Sequence, residues 1–444
     1  MSMQSVPVLP SRSRFEHVRA LARDPLGFLE RVRAAGPVVA VRAGLLSLVM
    51  VHDPAAVRRV LVERADVYRK TTRGYHKLRL TLGNGLITSE GEFWRRQRRI
   101  ANPAFHRKAL AGFAEIMGRV AEETADRLLA AGPGPVDVTH AMNHLALEVV
   151  AEALFGTDLG ARARVIEGAV TALVEPFWKF TTAPYPWPEF VPSAENARFW
   201  WARWRIRRML GALVDEARAR GEGSDLLSML MAARDPESGE AMSDAQLRDE
   251  GITLIGAGHE TTANALAFAL DLLGRYPEVQ ARVAEEADLV VGDGRPSADA
   301  IGALSYTRQV LQETLRLFPP VWTLARRSAE DDELGGFAVP AGTFVVVPVF
   351  SVHRDPALWV DPERFDPERF AEGAVIDRGA YLPFSRGQRQ CIGDRFAMME
   401  AACALAMFMR RFRVEAVGDG IELLPTLTLR SREPVRVRVV RREV

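Results

Sequence analysis

Cysteine is nearly missing from the sequence: two residues in 444, Cys391 and Cys403. Two thiols cannot build the disulfide framework of a small secreted protein, nor the four-thiolate cage of a structural zinc or an iron–sulfur cluster. Lysine is almost as scarce, at four of the 58 basic residues, so arginine carries nearly all the positive charge. That excess, like the abundance of alanine, reads as coding bias. With 57 acidic residues the formal net charge is only +1, and no overall field draws the chain to nucleic acid or to an anionic membrane. Long apolar runs are missing too. The N-terminus, Met-Ser-Met-Gln-Ser-Val-Pro-Val-Leu-Pro, has no signal-peptide core or membrane span, and stretches such as Phe344 to Val349 are strand-sized. A soluble, cytoplasmic protein without a membrane anchor is expected. There is no repeat, no low-complexity linker and no appended flavin or iron–sulfur segment.

What is present is mostly helix. Alanine-, leucine- and arginine-rich segments with helical spacing are broken by proline and glycine near residues 132–136, 184–192, 292–296 and 319–320. Strand patterns are confined to Val38 to Val41 with Leu46 to Val51, Phe337 to Pro340 with Thr343 to Val347, and Leu427 to Val440. The expected fold is mainly α, with a large helical part and a small β-rich part. Length alone suggests two or three domains, but motifs run the length of the chain and point to one catalytic domain over residues 1–444.

Residues 384–393 read Phe-Ser-Arg-Gly-Gln-Arg-Gln-Cys-Ile-Gly. Cys403 lies in an apolar run and suits an ordinary buried thiol, whereas Cys391 lies in a turn flanked by glycine and arginine. A thiol presented this way suits thiolate ligation of haem iron, which favours cleavage of the O–O bond of dioxygen. Gly387 and Gly393 let the backbone curl so that amide N–H groups face the sulfur. Arg389 is placed for a haem propionate, and a helix from Asp394 to Phe412 brings its N-terminus beside the thiolate. The segment resembles the cytochrome P450 signature at Phe384, Gly387, Arg389, Cys391 and Gly393. The resemblance extends from about Asp24 to Val440 and implies the P450 fold, with haem b between a long central helix and the cysteine-loop helix. Many family members have glycine directly after the motif phenylalanine; this chain has Ser385.

A capping box, Ser243 to Gln246, starts a helix expected to run to Tyr276, with Pro277 in the first turn of the next. Inside it lie Ala257, Gly258, His259, Glu260, Thr261 and Thr262. A carboxylate and a hydroxyl in an apolar helix are costly to bury without partners. The resemblance gives Thr261 the role of opening the helix locally and hydrogen-bonding dioxygen, and Glu260 that of relaying protons from solvent. The plainer alternative is a threonine bonded back to a carbonyl beside a surface glutamate. His259 reads as structural.

Glu313 and Arg316 stand one turn apart among apolar neighbours. The resemblance adds Arg369 as the third member of a buried triad that fixes the segment before the cysteine loop, a role in folding and haem retention. Trp94 and Arg98, one turn apart, are implied propionate partners, as are Arg326 and, further down, His353. Arg95, Arg96, Arg99, Arg107 and Lys108, with Arg386 and Arg395, are expected to form a basic docking face.

Pocket segments are expected at Tyr75 to Ile87, Phe177 to Phe190, Leu254 to Thr261, Val321 to Leu324 and Thr426 to Thr428. Ile87, Ala257, Trp322 and Leu427 line them, with Trp178 and Trp187 nearby. Such a lining suits an apolar fatty acid, terpenoid, steroid or macrolide. The implied activity is O2-dependent monooxygenation by a monomer that takes electrons from a ferredoxin or flavodoxin and an NAD(P)H-dependent reductase. A peroxide-driven peroxygenase would replace the Glu260–Thr261 relay with an arginine holding a substrate carboxylate. A thiolate-haem sensor would need no relay at all.

Overall fold

The computed structural model describes residues 4–13, 15–44, 46–156, 162, 165–166, 168–169 and 191–442. The expected pocket residues 177–190, with Trp178 and Trp187, lie outside them.

The helical part is organised around the helix Asp244–Arg275. Its start is the predicted capping box: Gln246 N–H donates to Ser243 Oγ at 3.3 Å, and Ser243 N–H to Gln246 Oε1 at 2.7 Å. It ends at Arg275, and Pro277 opens the next helix, Pro277–Val291, because proline tolerates a first turn where its missing N–H is no loss. Val138–Phe155, Ala194–Arg220, Ser305–Leu317 and Asp394–Arg411 pack around it. Burial on nearly every side explains why charges are few between Ile252 and Leu273. Gln280 fastens its far end. The buried amide donates to the carbonyls of Leu273 (2.8 Å) and Val414 (2.9 Å) and accepts from Val414 N–H (2.7 Å).

The β-rich part is a five-stranded sheet in the order Val38–Ala43, Leu46–Val51, Phe344–Val347, Leu324–Ser328, Tyr68–Arg69. The first two strands form an antiparallel hairpin with Val38 opposite Val51, and Val49 then pairs in parallel with Val345. The N-terminal hairpin is thereby joined to residues 296 positions away. The single strand expected over Leu427 to Val440 is two: Leu429–Ser431 pairs with Leu423–Pro425, and Arg436–Arg441 pairs with Phe412–Ala416 in another sheet. Pro434 falls between them and has no N–H for a ladder. Among the described residues no helix is long and apolar enough to cross a membrane.

Replacing Gln280 by leucine leaves three buried backbone groups without partners. It is expected to lower stability by about 2–4 kcal/mol, read from chemical denaturation.

Candidate functional site

Cys391 combines two properties that rarely coincide. Its residue is exposed by accessible area, yet the thiol lies so deep that desolvation pushes its pKa up, with an amide N–H from Gly393 and the cations of Arg98 and Lys70 pulling the other way. A residue that is accessible yet surrounded by protein has the setting expected at the wall of a recess. Helix Asp394–Arg411 starts immediately beyond it, and Cys391 N–H donates to Phe384 O at 2.9 Å, closing the loop. Cys403 is fully buried.

The loop shape rests on two residues with positive φ. Gly387 has φ 73°, and a Cβ there would meet Leu61 O at 2.2 Å, so no larger residue fits. Ser385 has φ 60° and a buried hydroxyl with no partner. Serine here holds the left-handed conformation that glycine takes without strain.

Four cations gather near the loop. Arg98, half-buried on the helix Gly91–Ala101, donates to Gln390 O at 3.0 Å. Arg389 stacks 3.7 Å over the Trp94 ring, pairs with Glu90 at 2.7 Å and donates to Ser89 O. Arg326 is buried. The fourth is Lys70, whose Nζ donates to Ile87 O at 3.1 Å. Burial first, then Arg326 and Arg389, push the Lys70 pKa well down; burial also lowers Arg389, to about 10. The nearby carboxylates are Glu90 and Asp394, leaving a formal surplus of two positive charges. Such a cluster is unfavourable until an anion joins it.

On the central helix Leu254, Ala257, Gly258 and Thr261 are partly accessible while most of their neighbours are buried. Their spacing of three and four places them on one face, which therefore also borders open space. The local opening expected at Thr261 is not found: the helix is continuous there and the hydroxyl donates back to Ala257 O at 2.8 Å, the bond of the plainer alternative; its oxygen lone pairs remain available. Glu260 is not a surface residue. It is buried and accepts from Thr428 Oγ1 and from Arg430 Nε at 2.5 Å. His259 is structural, its Nδ1 on Ile255 O.

The triad is assembled. Arg316, fully buried, makes two bonds to Glu313 (2.6 and 2.8 Å) and donates to the carbonyls of His353, Pro362 and Arg364. Arg369 reaches Glu313 at 3.3 Å. His353 belongs to this network and not to a cofactor site, a correction to the sequence reading: Nδ1 lies 3.1 Å from Arg316 O, and Nε2 accepts Leu382 N–H at 2.8 Å. Both nitrogens are committed, and burial lowers the pKa to about 3, so the ring is neutral.

Two other expectations change. Trp322 is buried with Phe28, Val346 and Phe350 in the core beside the sheet, its indole N–H on Thr426 O at 3.0 Å; it is a packing residue. Ile87 and Leu427, by contrast, are only half-buried. The basic face is largely neutralised. Arg95 pairs with Glu92, Arg96 with Glu240, Arg99 with Asp235 and Arg107 with Asp299.

A family model for cytochrome P450 matches residues 22–436. The chain belongs to the cytochrome P450 family. It is 39% identical to cyclooctatin synthase of Streptomyces melanosporofaciens over 95% of this chain and 92% of that protein. Identity is 37% to cyclooctat-9-en-7-ol 5-monooxygenase of the same organism (93% and 89% covered) and 33% to pentalenene oxygenase of Streptomyces avermitilis (95% and 94%). The fold matches the cytochrome P450DA haem domain with a TM-score of 0.91 at 27% identity, covering 100% of this chain and 99% of that one. This P450 is therefore an oxidoreductase of the haem-thiolate monooxygenase class. The donor set fits such a cofactor: one deep, reachable sulfur and a surplus of two positive charges against a dicarboxylate.

Lys70, Arg430 and the Asp249–Glu250 pair escaped the sequence reading, as did the bond of Thr428 to Glu260. The pair holds the loop before Ile87, Asp249 accepting from Asn84 N–H (2.8 Å) and Glu250 from Leu86 N–H (3.1 Å). Burial raises Glu250 to about 8. For Lys70 the available signal was its rarity in a chain that otherwise uses arginine.

The two loop residues give opposed expectations. Ser385→Gly relieves left-handed strain and is expected to stabilise by about 1 kcal/mol. Gly387→Ala should destabilise by more than about 2 kcal/mol, both measured by thermal unfolding of the same preparation.

Proposed function

We propose that this P450 carries haem b on the Cys391 thiolate and inserts one atom of O2 into a terpenoid, by hydroxylation or epoxidation. The observation that carries the reading is the coexistence of a deep Cys391 with the cluster Lys70, Arg98, Arg326 and Arg389, only partly balanced by Glu90 and Asp394, which would bind the two propionates. Once bound, the haem supplies the activation of O2. The terpenoid class is supported by relatives whose names specify terpenoid products or substrates. It is supported too by the half-buried, largely apolar positions Ile87, Leu254, Ala257 and Leu427.

The chain's own residues handle position and protons. Leu254 and Ala257 give the substrate an apolar wall that excludes water, while Gly258 lets the helix pack closely on Val150. Thr261 offers a hydroxyl oxygen on the same face. Glu260 holds the proton-transfer position behind it, and Arg430, partly exposed, links that carboxylate to solvent. Arg430 is thus engaged by Glu260 and not offered to a substrate carboxylate, which supports O2-dependent over peroxide-driven turnover. Glu313, Arg316 and Arg369 retain the haem indirectly, by fixing the backbone before the loop. Electrons would come from a ferredoxin or flavodoxin with its NAD(P)H-dependent reductase. After the pairing of Arg95, Arg96, Arg99 and Arg107, the partly exposed Arg386 and the exposed Arg395 and Lys108 are the cations left of the expected face to steer it.

Two measurements test this. Reduced protein under carbon monoxide should show the strongly red-shifted band of a thiolate-ligated haem; Cys391→Ser should lose it and Cys403→Ser keep it, and an unchanged band in the first variant would refute the ligand assignment. Glu260→Gln should slow product formation by about 100-fold, and Thr261→Ala should divert NAD(P)H to hydrogen peroxide. Unchanged product per NAD(P)H in Thr261→Ala would remove the relay.

A further inference from the structure

Three of the eight tryptophans stand on two turns of the helix Ala194–Arg220, and all three are exposed: Trp200 by 40%, Trp201 by 58% and Trp204 by 55%. Phe199, Ala202, Ile206 and Leu210 form the buried side of this helix. Trp201, Trp204, Arg205 and Arg208, at spacings of three, four and seven, lie on the opposite side. Core formation does not explain such a row, because its burial is already supplied by the inner stripe.

Between the exposed Glu195 and Asp215 the charges along this helix are of one sign. From residue 196 to 214 there are five arginines and no acidic residue. Two of them serve the body of the protein: Arg203 donates to Leu80 O at 2.7 Å, and Arg207 pairs with Asp249 at 2.8 Å. The other three, Arg198, Arg205 and Arg208, stay on the outer side. The Arg205 guanidinium lies 4.4 Å above the Trp201 ring and that of Arg208 5.3 Å above Trp204. Each pair is an apolar ring carrying a cation over its face.

We infer that this face is a docking surface for an anionic lipid bilayer. Indole rings settle at the boundary between acyl chains and headgroups, where one end is apolar and the other wet, and arginine beside them reaches lipid phosphates. The net charge of +1 hides this locally basic patch. Binding of this kind is peripheral and reversible, and it does not depend on the chemistry proposed above.

The test uses full-length holoprotein without substrate in a flotation assay. Vesicles containing phosphatidylglycerol are compared with pure phosphatidylcholine at low and high salt. The wild type should float with anionic vesicles about tenfold more than with neutral ones, and less at high salt. Trp201→Ser with Trp204→Ser should reduce flotation about tenfold. Arg205→Gln with Arg208→Gln should reduce it severalfold and flatten the salt dependence. Val375→Ser, at a residue 98% exposed elsewhere, should match wild type. Circular dichroism and the carbon monoxide spectrum verify folding of each variant, and the arginine pair keeps the test open if the tryptophan pair misfolds. No flotation, equal binding to neutral vesicles, or folded variants that float like wild type would overturn the assignment. So would a wild type that sediments as a dimer while the tryptophan pair sediments as a monomer, which would give the face to a second copy of the chain.

Discussion

Three backbone carbonyls, from His353, Pro362 and Arg364, end on the guanidinium of Arg316, and Glu313 neutralises that guanidinium in a place water does not reach. Arg369 and the Asp366 amide close on the same carboxylate. A buried ion pair with unmet groups would be a liability; here the carboxylate and guanidinium meet partners on several sides, and an irregular stretch of chain acquires a fixed path. His353 extends the network to Leu382, two residues before the motif phenylalanine. The position of Cys391 is therefore inherited from an interaction made by side chains some 75 positions earlier.

A thiolate surrounded by protein and a knot of cations beside it are both unfavourable by themselves. Desolvation works against the charged form of each. Their proximity turns two local penalties into complementarity for one ligand that is electropositive at its centre and doubly negative at its edge. Arg389 lies at the join, two residues from the cysteine and stacked on Trp94.

Local patterns were readable from the sequence. The capping box, the proline that opens the following helix, the hairpin Val38 to Val51 and the order of the motifs all involve neighbours within a few residues, and the structure has them where the pattern places them. The signature positions and the Glu313–Arg316 turn were legible for the same reason. What failed depended on distant partners. Arg99 looks like a docking cation until Asp235 arrives from 136 positions away. His353 looks like a propionate partner until its two nitrogens meet Arg316 and Leu382, and Trp322 looks like pocket lining until it packs on Phe28. Glu260 was placed correctly on its helix, but nothing near it in sequence announces Thr428 and Arg430, one just before the strand Leu429–Ser431 and one within it, 168 and 170 positions on.

Leu427 stands at the tip between Leu423–Pro425 and Leu429–Ser431, closed by Thr426 N–H on Thr428 O. The next residue and the one two beyond it hold Glu260. One short hairpin thus carries both a side chain proposed to line the substrate pocket and the clamp on the acid. In evolutionary terms the two cannot drift separately. A descendant that lengthens or reshapes this turn to admit a bulkier molecule also shifts the carboxylate, and the early members of such a lineage should leak reducing power. Lineages that widen their substrate range by changing Ile87 instead, on a loop anchored by Asp249 and Glu250, escape that penalty.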